Sequence, residues 1–421
     1  MTDLGEGLAG PTTRSSVTKV ASATAASALC GYAVIYLAAR DLAPAGFSVF
    51  GVFWGAFGLV TGAAFGLLQE TTREVRSTPQ PPSTSQSPGS AGTRPMRVGA
   101  LAGAVAAVLI AVSSPLWARQ VFAELPQLSV TLLAIGLGGF CLHATLLGTL
   151  AGTNRWSQYG ALMVTDAGFR VAVAAASVTL GWGLTGFLWA AVAGSAAWLL
   201  LLLGSAPARA AAGIQTPISP IDFLRGAAHS VTAAGASSIL VMGFPVLLKV
   251  TSSDLGATGG VIILAVTLTR APLLVPLTAM QGNLIAYFVD QSQHRLRAMA
   301  RPALLIAAVG AVGILAAGLL GPWLLSVFFG AQYQASAALL MWLTAGAVSI
   351  AMLTLTGAAT VAAALHRAYS LGWVGATLTS GMLLLLPTTL EIRTVISLLC
   401  GPLAGIAVHL IAIARTSNTR G

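Results

Sequence analysis

The sequence predicts an all-α polytopic membrane protein of twelve transmembrane helices, in two six-helix lobes related by a pseudo-two-fold axis along the membrane normal. Three observations predict it. Charged residues are 8% of the 421 and the hydrophobic set is 56%, with a mean hydropathy of +0.85; a soluble domain carries about 25% charge. Apolar runs of about 20 residues, the length that crosses a bilayer, recur along the chain. Two fragments of the first half return about half a chain later. No polar stretch is long enough to fold a soluble enzymatic domain, so the chain reads as a non-enzyme.

In order, spans are expected near 17–40, 47–69, 98–117, 128–151, 160–179, 184–204, 227–249, 257–288, 303–328, 337–365, 371–387 and 394–414. The first begins after a polar N-terminal stretch and is long enough to cross, so it reads as a retained helix rather than a cleaved leader. Residues 71–97, TTREVRSTPQPPSTSQSPGSAGTRPMR, are rich in Ser, Thr and Pro, which predicts a disordered loop. The expected division is an N-terminal lobe 1–204, a linker 205–226 and a C-terminal lobe 227–421.

Twelve spans put both termini on one side, and the charges say which. Of the 21 basic residues, fifteen fall in segments on the side of the N-terminus, four (Arg40, Arg119, Lys249, Arg393) on the other, and two (Arg170, Arg270) inside spans. The positive-inside rule makes the side of the fifteen cytoplasmic. This accounts for the net charge of +10 without nucleic acid. The three cysteines (Cys30, Cys141, Cys400) lie in apolar spans as packing residues. The histidines are scattered without metal spacing, and no phosphate-binding glycine loop appears, so no metal or cofactor is expected.

The halves look related. Thr24–Ala28 reads TAASA and Thr232–Ala236 reads TAAGA; the loops that follow share an Asp-Leu-x-x-x-Gly pattern, at Asp41–Gly46 and at Asp254–Gly259. A repeat of six spans keeps its orientation, which predicts parallel halves and a central cavity between them.

The chemistry on offer is intramembrane charge, which is rare and by default functional. Asp166 and Arg170, four residues apart, share a helix face. They read either as a self-neutralised structural pair or as an anion-binding arginine with its orienting acid. Arg270 has no acid within several turns of its own helix. It shares a face with Thr267 and Gln281 and sits beside Pro272 and Pro276. It reads as an anion ligand facing a cavity, or as half of a salt bridge to Asp166 across the bundle, or as a residue satisfied by carbonyls. Lys249 is explained by snorkelling, with a substrate role as its alternative. Arg40 and Asp41 outside, and Glu70 and Arg73 inside, are interfacial charges or candidate gates.

Tyr36–Gly51, YLAARDLAPAGFSVFG, resembles the first outer turn of Wzx-type polysaccharide flippases, within the multidrug/oligosaccharidyl-lipid/polysaccharide exporter (MOP) superfamily. Leu324–Tyr333, LLSVFFGAQY, is similar to the passage from the ninth to the tenth helix of the same proteins. Leu150–Arg155 and the arginine of the fifth span also fit. The resemblance implies movement of a polyprenyl-diphosphate-linked saccharide from the cytoplasmic to the outer leaflet by alternating access, for cell-envelope polysaccharide assembly in a bacterial inner membrane. It implies a cationic cavity for the diphosphate, a lipid tail left in the bilayer, and pathway glycosyltransferases or a polymerase as partners. It also places a cavity arginine on the eighth helix, the position of Arg270. Related drug exporters often carry an acid in the first or seventh helix; Val17–Ala39 and Ala227–Leu248 hold none. The alternatives are a cation-coupled multidrug or small-molecule exporter of the same fold, using Asp166, and a non-transporting membrane scaffold of a glycan-assembly complex.

Overall fold

The computed structural model describes residues 14–77, 92–291 and 295–418, and among them the structure is helical apart from one isolated bridge. The first helix, Arg14–Ser77, has 64 residues. At 1.5 Å per residue that is about 96 Å, three times the apolar thickness of a bilayer. It is two crossings. At Ala43 the backbone takes φ 52° and ψ 171°, because Pro44 excludes the helical conformation from the residue before it. Lys19 donates to Ser157, and Arg76 stacks on Trp156. Both ends of the helix therefore reach one corner, and the chain doubles back at Ala43. We call 14–42 α1 and 44–77 α2.

The remaining spans are α3 (Pro95–Val121), α4 (Pro126–Gly152), α5 (Trp156–Leu180), α6 (Gly183–Gly204), α7 (Pro220–Val241), α8 (Gly256–Ala279), α9 (Arg295–Phe329), α10 (Ala337–Ala362), α11 (His366–Leu383) and α12 (Leu390–Asn418). Nine described helices are long and apolar enough to cross a membrane, or ten with α7 and Phe244–Val250 taken as one bent span. Dividing the first helix and adding the 18-residue α11 brings the crossings to twelve.

Four expectations change. The seventh span is not continuous: α7 and Phe244–Val250 meet at 66°. The eighth runs through Pro272 and Pro276 but divides at Met280, resuming as Gln281–Asp290. The segment 205–226 is more than a linker. Ser205 caps a short helix Ala206–Ala212, and α7 starts at Pro220 under a Ser219 cap. Disorder over 71–97 is also too broad. Residues 71–77 belong to α2, whose Val75 packs on Gly152. Thr93 exchanges two main-chain hydrogen bonds with Thr216 (2.9 and 2.8 Å), and α3 begins at Pro95. Residues 78–91 of that stretch lie outside the described residues.

α4 and α10 are the most deeply buried single crossings. Their threonines bury by bonding to their own helix, as Thr145 does to Cys141 and Thr360 to Thr356, because nothing in a bilayer core replaces water as a partner. Each ends in the same turn. Asn154 and Ala364 both take positive φ (56° and 60°). Arg155 N–H returns to Leu150 O and Leu365 N–H to Thr360 O (2.8 and 3.0 Å). One turn 210 residues apart, with matching bonds, is the internal repeat expressed in backbone.

The lobes touch most closely along α2 and α7. Small residues let helices approach in a membrane, and α2 presents Gly55, Gly58, Gly62 and Gly66 at helical spacing. A Cβ at Gly62 would fall on Ser238, and one at Gly66 on the backbone of Ser230 and Val231. Gly66→Ala should therefore lower stability by about 1–3 kcal/mol, the range for overpacking. Gly31→Ala, with open space beside it, should cost nothing. Thermal unfolding of the purified variants by fluorescence-detected size exclusion measures both.

Candidate functional site

Arg270 sits against the break in the seventh span. Pro245 has no N–H, so the Val241 carbonyl lacks its usual helical donor. Gly243 N–H turns back to Ser238 O, which Met242 N–H also reaches (2.9 Å each). Arg270 Nη1 supplies the missing donor, at 3.0 Å from Val241 O and 3.4 Å from Leu240 O. The guanidinium lies 5.2 Å from the centre of the Phe244 ring, a cation–π distance. The residue is 7% exposed, and its Nε and Nη2 have no hydrogen-bond partner. Of the alternatives read from the sequence, the carbonyl contact is present. No acid meets Arg270 among the described residues, and Asp166 is engaged elsewhere.

Arg170 in α5 is arranged alike, with a counter-charge. Its Nε and Nη2 meet Asp166 Oδ1 at 3.2 and 3.0 Å, and its Nη1 donates to Ala191 O at 2.6 Å. Its guanidinium lies 5.4 Å from the Phe57 ring centre. The Ala191 carbonyl precedes a 3-10 turn, Gly194–Ala196, that interrupts α6. Gly194 leaves room for the pair, since a Cβ there would strike the Asp166 carboxylate. Each lobe thus places a mid-span arginine on a phenylalanine face and on main-chain carbonyls beside an irregular helix. The charges differ: the Arg170 site is neutral, and the Arg270 site carries a net cation.

The other residues named from the sequence do not join one cluster. Thr267 bonds Ile263 O in its own helix (2.7 Å). Gln281 opens the segment after Met280, half-buried. Lys249 donates to Ser253 O at 3.3 Å, in the turn before α8. Glu70 is 3% exposed between the lobes: Arg73 pairs with it at 2.6 Å, and Ser230 of α7 donates to it at 3.4 Å. Arg40 and Asp41 are exposed beside the Ala43 reversal, with Arg40 next to Gly330.

That end also holds what the sequence reading missed. Tyr36 packs on Phe329 at 5.7 Å and Phe47 on Tyr333 at 6.2 Å, ring centre to ring centre. Phe329 and Tyr333 pack on each other at 6.2 Å. Tyr333 is fully buried, its hydroxyl has no partner, and burial pushes its pKa above the usual tyrosine value. These rings close the lobes over each other at the Ala43 end. Further along α1 and beyond α8, a Cβ added at Gly31 or Gly282 would meet nothing within 4 Å. Gly243 and Pro245 within an apolar run were the legible signal for the α7 break. The aromatic closure had none, because its halves lie 293 residues apart for Tyr36 and Phe329 and 286 for Phe47 and Tyr333.

No protein-family model matches the chain. Among curated proteins it is 70% identical over 403 residues to the uncharacterized protein Rv3630 of Mycobacterium tuberculosis, covering 96% of this chain and 93% of that one. It is 65% identical over 417 residues to the uncharacterized protein Rv1510 of the same organism, covering 99% and 96%. The chain belongs to the family of Rv3630 and Rv1510. Among solved structures, this Rv3630-family chain is similar to the inward-facing conformation of a multidrug resistance MATE family transporter of the MOP superfamily. The TM-score is 0.70 at 15% identity, over 96% of this chain and 100% of that one. It is also similar to the outward-facing conformation of such a transporter, with a TM-score of 0.63 at 14% identity over 96% of each chain. A MOP superfamily transporter from Pyrococcus furiosus described as having reversed binding-pocket polarity gives 0.61 at 14% identity, over 95% of each. At these identities the likeness defines the fold: the Rv3630-family chain has the two-lobed MOP architecture.

The Asp166–Arg170 pair yields a stability test. Removing one member of a buried pair costs more than its share, because the other charge is left without a partner. Asp166→Ala and Arg170→Ala should each destabilise, and the double variant by less than their sum, with a coupling of about 0.5–3 kcal/mol. A double-mutant cycle on thermal unfolding measures it.

Proposed function

We propose that this chain is a flippase, a MOP-type transporter that moves a polyprenyl-diphosphate-linked saccharide from the cytoplasmic to the outer leaflet of a bacterial inner membrane by alternating access. The observation that carries this reading is the uncompensated cation. Arg270 is buried, lacks an acidic partner among the described residues, and keeps Nε and Nη2 without a hydrogen bond. A cation held in that setting favours an anionic guest, and the guanidinium fork suits phosphate. The rings close the Ala43 end, and the opposite end carries the basic residues that the positive-inside rule assigns to the cytoplasm, with both termini there. Thr267 and Gln281 on the Arg270 helix, Arg170 with Asp166, and Lys249 are the further substrate contacts of this reading. Glu70 with Arg73, and Arg40 with Asp41, are its gates. Membrane lipids and pathway glycosyltransferases or a polymerase are its partners.

Asp166 favours a second reading, cation-coupled export of small molecules. It is the one acid placed mid-span, and proteins of the same fold are described as multidrug transporters. That reading predicts efflux of cationic drugs that depends on Asp166 and an ion gradient.

Arg270→Gln separates charge from backbone support, because an amide keeps an N–H donor and removes the cation. Reconstituted in proteoliposomes, Arg270→Gln should lower the flipping of a labelled polyprenyl-diphosphate sugar at least tenfold, while remaining monodisperse. Flipping at the wild-type rate would refute the anion-ligand assignment.

A further inference from the structure

A cleft of about 730 Å³ lies between the start of α11 and the end of α12, apart from either intramembrane arginine. Its wall is apolar, with Leu371, Val408 and Ile411 among its lining residues, and His366, Arg367 and Arg415 also line it. Arg367 is exposed and has no hydrogen-bond or ion-pair partner among the described residues. Among the described residues, no aspartate or glutamate lines the cleft. His366 and Arg367 follow the turn at Ala364, the repeat counterpart of the Asn154 turn where Arg76 and Trp156 meet. The cleft therefore opens at the end of the bundle that carries most of the basic residues.

From it a strip of exposed apolar side chains runs along the two helices. Leu371 and Leu378 are each 62% exposed in α11, and Ile411 and Leu403 each 52% in α12. Cationic side chains at the mouth and a continuous apolar wall below match one kind of molecule: an anionic head on an apolar chain, standing at the membrane interface. A soluble phosphate would leave the wall uncovered. A zwitterionic lipid would bring a second cation against Arg367 and Arg415.

We propose that this cleft binds the phosphate headgroup of an anionic glycerophospholipid, with Arg367 and Arg415 as its cationic ligands and an acyl chain against Leu371 and Ile411. The site is independent of what the protein transports, and its test needs no transport assay.

The full-length protein, delipidated in detergent, is titrated with phosphatidylglycerol or phosphatidylcholine and the bound lipid counted by native mass spectrometry. Phosphatidylglycerol should bind with at least tenfold preference at one site. Arg367→Gln and Arg415→Gln should each weaken it about fivefold, the scale of one interfacial basic residue. Arg367→Lys should retain most of the binding, which separates charge from fold. Leu371→Gln should weaken binding with both arginines in place. Inorganic phosphate at millimolar concentration should not displace the lipid. Equal binding of the two lipids by the wild-type protein overturns the proposal without any variant. Displacement by inorganic phosphate overturns the lipid assignment, as does unchanged phosphatidylglycerol binding in the double arginine variant.

Discussion

The contact from Arg270 to the carbonyls of Leu240 and Val241 meets a constraint that governs the whole molecule. In a bilayer core every main-chain polar group needs a partner from the protein. A proline one residue into a new helix segment breaks that rule for the turn before it, so a bent seventh span requires a donor from elsewhere. An arginine on the next span provides it from a position otherwise too costly to occupy. The bend and the arginine are thus one feature. The bend directs Phe244–Val250 away from the line of α7, and the arginine makes that geometry tolerable. The nitrogens the carbonyls do not use, Nε and Nη2, stay buried without a hydrogen bond.

The same constraint shapes the contact between lobes. Along α2 and α7 close approach is achieved with glycines, so backbone and small side chains meet without polar loss. At the Ala43 end the lobes close with aromatic rings instead, Tyr36 and Phe47 against Phe329 and Tyr333. Those rings come from the two stretches that most resemble polysaccharide flippases, Tyr36–Gly51 and Leu324–Tyr333. Far apart in sequence, they dock against each other in space. A packed seam of glycines thus lies beside a ring cluster that closes one end.

Much of this was legible in the sequence, and the reasons are specific. Span count follows from apolar length, a property summed over many residues and so insensitive to any one. The repeat was visible at the Asp-Leu-x-x-x-Gly loops and returns in the Asn154 and Ala364 turns. The Asp166–Arg170 pair was legible because its spacing is local. Arg270 was legible as costly, but its partners were not, because Leu240 and Val241 lie 30 and 29 residues away and offer carbonyls, which no side-chain pattern marks. Disorder over 71–97 was drawn too wide for a related reason. Composition reports on a window, whereas the packing of Val75 on Gly152 and the bridge from Thr93 to Thr216 depend on distant residues.

The central claim is that the uncompensated cation of the eighth span serves an anionic, lipid-linked cargo. The most direct measurement is the leaflet distribution of polyprenyl-diphosphate-linked saccharides in cells depleted of this protein, read by protease-free surface labelling and mass spectrometry of the extracted lipids. The account predicts that one such intermediate accumulates in the cytoplasmic leaflet and is restored by the wild-type chain. An even distribution of every such intermediate across the leaflets after depletion would contradict it.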